Sequence, residues 1–519
     1  MLINITAAKC IGIEATPVTV EVNIDRGIGI HLVGLADTAV KESLMRTITA
    51  LQSLGFHIPG KKIVINLAPA DLRKNGSGYD LPIALGIIAS SDQMPLPGLG
   101  KYLIMGELGL DGSVREVPCS LPYAELAIRG GLEGCILPVQ SALEAEGYRQ
   151  TRIYGVGRLG EALRILQERE DCGDLLVWNR PEYRDRLERE RLWKDRPGYM
   201  DFADIIGQEG AKRGAEIAVA GGHNLILVGP PGSGKSSLAK ALTGILPPMS
   251  PEESLMTSKI YSVAGKGDSL GLMRRRPFRS PHYSASIAAI VGGGGGENLI
   301  PGEVSLAHNG ILFLDEFANA PKSVIEALRS PMEDRCVGIS RLRAKVSYPA
   351  DFMLVAASNP CPCGYWGEGE RCTCTPGQRA AYLSRLSGPI LDRIDIQLWM
   401  HPVDTGKLVN RVRGESSAAV AERVLAARKI QKERFRDGEF FTNAGMGSRE
   451  LEKYCPLDNE CKDLMEKLIR RMGLSARAFS RIVKVARTIA DLAGSRDIRP
   501  AFLAEAAGYR FLDRSNLGM

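Results

Sequence analysis

The stretch NLILVGPPGSGKSS, residues 224–237, sets Gly229, Pro230, Pro231, Gly232, Ser233, Gly234, Lys235, Ser236 and Ser237 between an apolar run and the helix-forming SLAKALTGIL. Glycines at such a turn let backbone N–H groups wrap the phosphates of a nucleotide at a helix N-terminus. Lys235 is expected to reach the β and γ phosphates of ATP, and Ser236 to hold Mg2+. A second apolar run, NGILFLDEFANAP (309–321), ends in Asp315 and Glu316. Asp315 is expected to bind the magnesium through water and Glu316 to polarise the attacking water, which makes ATP hydrolysis the leading reaction. A third run, DFMLVAASN, ends in Asn359, whose amide is placed to orient that water or to sense the γ-phosphate.

A separate chemistry follows directly. In NPCPCGYWGEGERCTC, Cys361, Cys363, Cys372 and Cys374 form CxC, eight residues, CxC. Four thiolates from two paired knuckles suit a tetrahedral, structural Zn2+ with no open coordination position. The spacing is tighter than the usual gap of two to four residues, and free thiols or a redox pair are the alternative. The expected role of the metal is to pin the loop that joins Asn359 to the helix bearing Arg385.

These groups need elements to position them. The chain has 519 residues, 44% hydrophobic and 24% charged, so it can bury several cores and reads as a soluble multidomain protein. Its net charge of +6 is a small excess of 66 basic over 60 acidic residues, so any basic surface must be local. The start lacks a charged region followed by an apolar one, and no apolar run reaches the roughly 18 residues of a membrane span. A cytoplasmic location with no membrane partner is expected, and in a reducing compartment the seven scattered cysteines among the 11 do not read as a disulfide framework.

An α/β multidomain architecture follows from the pattern of runs. Residues 1–167 alternate β-branched runs such as KKIVINLA with helical stretches, as in a compact α/β domain. Residues 168–200 are dense in charge and read as a linker or solvated helix. Residues 201–403, with the four-cysteine insert at 361–374, alternate strands and helices around a parallel sheet. Residues 404–519 carry apolar residues at helical spacing and predict a small helical bundle.

The order of phosphate loop, acidic strand, polar strand end and helical bundle resembles the AAA+ ATPases. Within them GLADTAVKES, NLAPADLRKNGSGYDLPIALG, GELGLDG, PFRSPHYSAS, PGEVSLAHNGILFLDE, NPCPCG and RLSGPILDRID resemble the YifB/ComM family of the magnesium-chelatase-like branch, nearly end to end. The resemblance implies a homo-hexameric ring in which an arginine of one subunit completes its neighbour's site. Arg385 and Arg393 in SRLSGPILDRIDI both fit that role, with Arg393 favoured by its position before the last core strand. An arginine delivered in trans would neutralise charge on the transferred phosphoryl group. In the helical tail, GLSARAFSRI offers Arg477 as the lid arginine that contacts the γ-phosphate from the same subunit or its neighbour.

The first domain also resembles the Lon-type peptidase domain, whose Ser/Lys dyad is not kept. The nucleophile position falls on Gly78, with Ser77 one residue off, and the lysine position falls near Pro122. No lysine occurs between Lys101 and Lys194, and a hydroxyl without its base stays a weak nucleophile. A non-peptidase scaffold is expected, with Lys74 the one nearby base. For a substrate, two inserted segments stand out. RRRPFRSPHYSASIAAIVGGGGGENLIPGEVS carries Arg279, His282 and a glycine run able to form a hairpin tip, and CVGISRLRAKVSYPA sets Arg341, Arg343 and Lys345 around a turn. Cations at pore-facing tips would follow a DNA backbone, single-stranded or branched, without reading bases. The resemblance implies a branch-migration helicase or translocase in recombination. A chelatase-type motor that remodels a protein partner is the alternative, and an ATP-dependent protease is a more distant one.

Overall fold

The computed structural model describes residues 2–34, 38–74, 76–191, 200–266, 272–295, 298–341, 344–386, 388–403, 413–436 and 440–513, with Gly406 and Asn410 as isolated positions. In the first domain β1 (Leu2–Ile11), β2 (Glu14–Asp25), β3 (Gly29–Val33), β4 (Lys62–Ala68) and β5 (Tyr102–Ile104) come first. A short hairpin, β6 (Glu107–Leu108) with β7 (Val114–Arg115), and then β8 (Gly134–Pro138) and β9 (Arg152–Val156) complete it. Seven of these form one mixed sheet in the order β3-β4-β2-β1-β5-β8-β9. β1 and β2 pair antiparallel from Leu2↔Asn23 to Ile11↔Glu14, whereas β5, β8 and β9 run parallel. The helix Asp80–Ser90 is apolar nearly all round and buried along its length, as a helix packed under a sheet must be.

The charged segment after residue 167 is not a simple linker. Leu175, Val177 and Tyr183 enter the first domain's core. The Arg186 guanidinium, almost fully buried, pairs with the equally buried Glu146 carboxylate. An arginine is tolerated there because its charge is matched by a fixed partner. Composition registered the charge of this stretch but not that a partner 40 residues upstream neutralises it.

The second domain contains β10 (Leu225–Val228), β11 (Phe278–Arg279), β12 (Gly292–Gly295), β13 (Asn298–Pro301), β14 (Ile311–Leu314), β15 (Cys336–Arg341), β16 (Ala344–Pro349), β17 (Met353–Ser358) and β18 (Ile396–Trp399). A five-stranded parallel sheet runs β11-β14-β17-β10-β18. Its central strands are apolar at every position but Ser358, the last of β17, because both faces are covered. Leu225 and Leu227, Ile311 and Phe313, and Val355 and Ala357 point into one core, while Ile226 and Val228, Leu312 and Leu314, and Leu354 and Ala356 point into the other. The alternation is the two-residue repeat of a strand.

The helical tail fills the first of those cores. Helices Ser417–Arg434, Asn459–Met472, Ala476–Leu492 and Pro500–Gly508 share it with helix Glu209–Gly221 and the sheet face. At this junction the buried His223 ring bonds Asp395 at 3.2 Å and Thr488 at 2.8 Å, and Arg481 pairs with the other Asp395 oxygen. The tail is therefore fastened to the start of β18 rather than standing as a free bundle. The first domain meets the second along helix Pro251–Val263. There Cys119 N–H donates to the Ser262 carbonyl at 3.3 Å, and Ser262 Oγ donates to Glu144 at 2.7 Å.

Candidate active site

The phosphate loop opens at the C-terminal end of β10, whose four residues are fully buried. Gly232 (φ 78°) and Gly234 (φ 89°) take left-handed backbone that an L side chain would strain, and Gly234 caps helix Lys235–Ala241. Lys235 Nζ donates to the Gly229 carbonyl at 2.6 Å, to the Pro230 carbonyl at 2.9 Å and to Asn359 Oδ1 at 3.3 Å. Burial pulls its ammonium below the ordinary lysine range, with Asp315 working against that. Ser236 Oγ donates to Asp315 Oδ2 at 2.8 Å, and Ser237 follows on the first helical turn.

Thus β10, β14 and β17 bring Lys235, Ser236, Asp315 and Asn359 to one edge of a parallel sheet, where open α/β sheets bind ligands. Glu316 stands beside them, exposed, with φ 49°. Its N–H is held by Asp315 Oδ1 at 2.9 Å, and Asn319 Nδ2 donates to its carboxylate at 3.2 Å. A hydroxyl and a carboxylate in contact, a buried ammonium, an amide and a second, accessible carboxylate are the donor set that Mg2+-ATP and an attacking water require.

One part of this site has no motif. Gln208 Nε2 bridges the Ser233 carbonyl of the phosphate loop (3.1 Å) and the His401 carbonyl (2.6 Å). Ile206, Gln208, Trp399 and His401 line a cavity of about 300 Å³ beside the loop. Through Gln208 it adjoins the phosphate loop. The segment IIGQEGAK, which runs into helix Glu209–Gly221, carries part of the wall, but the rest comes from residues nearly two hundred positions later.

The arginines lie elsewhere. Asp395 N–H donates to the Asn224 carbonyl at 3.0 Å, so Arg393 is at the start of β18 and β10, the opposite edge from the phosphate loop. A four-residue strand spans about 13 Å. Arg393 is 6% exposed, donates to the Pro389 carbonyl at 2.5 Å and pairs with Glu333. Position before the last strand favours Arg393, and within its own chain that guanidinium is buried and paired. Arg385 is exposed, its guanidinium over the Tyr382 ring at 5.8 Å. Arg477 is exposed at the start of helix Ala476–Leu492, 3.8 Å from Asp392.

Cys361, Cys363, Cys372 and Cys374 converge, their sulfurs all within 4.8 Å of one another. Cys361 Sγ is 3.3 Å from Cys363 Sγ and 3.9 Å from Cys372 Sγ, and Cys363 and Cys372 are 3.7 Å apart. Zinc–sulfur bonds of about 2.3 Å in a tetrahedron would put the sulfurs about 3.8 Å apart. The knuckle fits such an ion.

The basic segments separate into two kinds. Arg279 is closed by a two-point bond to Glu303, at 2.6 and 2.8 Å, so it is a structural ion pair and not a free phosphate contact. His282 is exposed and lies 4.3 Å from the Tyr283 ring. The glycine run forms the hairpin β12–β13, from Gly292↔Pro301 to Gly295↔Asn298. β15 and β16 form a second hairpin that ends at Arg341↔Ala344, with Arg341 and Lys345 exposed; Arg343 lies outside the described residues. In the first domain Ser77 Oγ bonds the Glu107 carboxylate and Lys74 Nζ bonds the Pro69 carbonyl. A Cβ on Gly78 would sit 2.9 Å from Met105 Cε, and Pro122 is buried in a helix. Among the described residues no serine and lysine form a peptidase dyad there.

A parallel sheet with a phosphate loop, an acidic strand end and a docked helical tail defines an AAA+ ATPase of the magnesium-chelatase-like type. The family described as magnesium chelatase, subunit ChlI, matches residues 201–408, its C-terminal family matches 414–510, and a further ChlI family matches 20–141. The YifB protein of Salmonella typhimurium is 43% identical over 97% of this chain and 96% of its own length. The competence protein ComM of Haemophilus influenzae is 42% identical over 97% of this chain and 96% of its own. A magnesium-chelatase 67 kDa subunit of Chlorobaculum parvum is 27% identical over 31% of this chain and 23% of its own. The chain belongs to the YifB/ComM family. None of its described helices is long and apolar enough to cross a membrane.

Proposed function

We propose that the chain binds ATP and Mg2+ at Lys235, Ser236 and Asp315 and hydrolyses ATP as a cytoplasmic homo-hexameric ring that moves along DNA. The reaction in view is branch migration or translocation on single-stranded or branched DNA during recombination. The observation that carries this reading is the β15–β16 hairpin, which presents Arg341 and Lys345 at a tip outside the nucleotide site. Exposed cations on a projecting tip contact phosphates independently of sequence. The His282–Tyr283 pair adds aromatic surface on which bases can stack. The similarity to a protein named as a competence protein supports the same reading. Glu316 is the group that activates water, with Asn359 orienting it. Arg385, the exposed one, or Arg393 is the arginine offered to the neighbouring subunit, and Arg477 is the lid arginine directed at the γ-phosphate. Cys361, Cys363, Cys372 and Cys374 hold a structural zinc.

The test is binding to a labelled four-way junction across a salt series, beside ATPase assays with and without DNA. Changing Arg341 and Lys345 together to alanine should weaken binding to every sequence and lower the salt slope by about one unit per lost contact. Basal hydrolysis should persist while DNA stimulation is lost. A parental protein that binds no DNA at low salt would overturn the reading and put the remodelling of a protein partner first.

A further inference from the structure

The cysteine knuckle does not stand apart from the nucleotide site. Gly364, with φ 87°, lies so close to the phosphate loop that a Cβ there would be 2.9 Å from Pro231 Cδ and 3.0 Å from its Cγ. The same Cβ would be 3.9 Å from Asn359 Cγ. Three residues on, a Cβ on Gly367 (φ 96°) would be 3.0 Å from Trp399 Cζ2. Between them Trp366 meets Trp399 edge to face, with ring centroids 5.6 Å apart and planes at 88°. Trp399 in turn lines the cavity beside the phosphate loop. The outer face of Trp366 is covered by the Arg379 guanidinium at 5.4 Å, from helix Pro376–Leu383.

The eight residues between the two CxC pairs carry one short turn, Gly369–Arg371, among the described elements. A glycine-rich loop with so little regular structure depends for its order on those contacts and on its ends, and here both ends are the four thiols. A metal that closes the knuckle therefore fixes Gly364 against Pro231 and Trp366 against Trp399. We propose that the four-cysteine knuckle is a metal-dependent wall of the nucleotide site and that Trp366 is a positioning residue for the base. Zinc and nucleotide then bind cooperatively, and each raises the affinity of the other by the same factor. This rests on the zinc reading and on placing the base in the cavity lined by Gln208 and Trp399.

The test uses the full chain in three states: as purified with zinc, stripped by a chelator, and stripped then reloaded with zinc alone. Binding of a fluorescent non-hydrolysable ATP analogue with Mg2+ is measured in each, beside zinc content and the time course of zinc transfer to a coloured chelator. Stripping should weaken analogue binding at least tenfold and reloading should restore it. The unlabelled analogue should slow zinc transfer. Trp366→Ala should retain zinc and the parental circular dichroism yet weaken the ATP analogue severalfold. Its affinity for inorganic tripolyphosphate, which has no base, should be unchanged, a split that general loss of folding would not produce. Trp366→Phe should recover most of the binding. Equal analogue affinity in the zinc-loaded and stripped chains would overturn the coupling and leave the zinc reading standing. A protein that takes up no zinc while binding nucleotide normally would remove the zinc reading itself, and the proposal with it.

Discussion

Two turns in this chain are built from the same residue types. GPPGSGKSS at 229–237 and RKNGSGYD at 73–80 each set glycines, a serine and a lysine at the opening of a buried helix. At the first, Lys235 and Ser236 face Asn359 and Asp315 from neighbouring strands. At the second, Lys74 turns to the Pro69 carbonyl and Ser77 to Glu107, so the base and the hydroxyl point to different partners. Residue types at a turn define a set of possible reactions. Only the strands opposite decide whether the groups meet.

The largest effects should come from the first turn. Lys235→Ala removes the cation that meets the phosphates, and nucleotide binding should fall below detection in a filter or fluorescence assay. Glu316→Gln removes a carboxylate but leaves the loop intact, so ATP should still bind while turnover falls by roughly a hundredfold or more. Parental turnover in the Gln variant would assign the base elsewhere.

Next in size is the group that completes the turn from outside. Arg385→Ala should lower hydrolysis by roughly a thousandfold with nucleotide affinity little changed, because the guanidinium acts on charge in the transition state. Mixing Arg385→Ala chains with Lys235→Ala chains should restore part of the activity, since one kind of junction in the mixed ring has both an intact loop and an intact arginine. No recovery on mixing, with ring formation verified by light scattering, would return the role to Arg393 and require its bond to Glu333 to open.

A smaller effect belongs to the far end of β10, which holds the loop's strand in place. Asp395 is 1% exposed, and although burial alone would raise its carboxyl, Arg481 and His223 hold it well below the usual carboxylate range. A depressed carboxylate contributes stability above its unfolded value, about 3.9, and loses it as pH falls through the folded value. Arg481→Ala leaves the charge with His223 and Lys484 and should cost about 3 kcal/mol at neutral pH. The deficit, followed by urea unfolding, should shrink as the solution is acidified below the unfolded value. A deficit that is constant with pH would mean that packing, not charge, is what Arg481 supplies.

The phosphate loop, Asp315, Asn359 and the four cysteines were legible because each is a short motif whose geometry is set by one turn or one strand end. The cavity at Gln208 and Trp399 was not, since its walls are brought together only by the closing of the sheet between β10 and β18. Arg279 and Arg186 read as surface charge because their partners, Glu303 and Glu146, are distant in sequence. The same limit applied to Arg393, whose position in the chain was plain but whose Glu333 partner lies 60 residues away. Local periodicity gave the helices of the tail, yet the His223–Asp395–Arg481 cluster that fastens them needed three separate segments.

The smallest effect should come from the second turn. Ser77 donates to the Glu107 carboxylate, so Ser77→Ala removes one partly buried hydrogen bond and should cost about 1 kcal/mol. ATP turnover should be unchanged, because the turn lies in a different domain from Lys235 and Glu316. Neither the parent nor the variant should cleave an unfolded protein substrate in the presence of ATP. Adding a side chain at Gly78 is no clean substitute for this experiment, since a Cβ there meets Met105 and Val117 and would perturb packing before it tested chemistry. If the parent did show ATP-stimulated cleavage and Ser77→Ala abolished it, Lys74 would have to leave the Pro69 carbonyl to act as the base. The two turns would then differ in state rather than in kind, and the first domain would be a peptidase opened by its own motor.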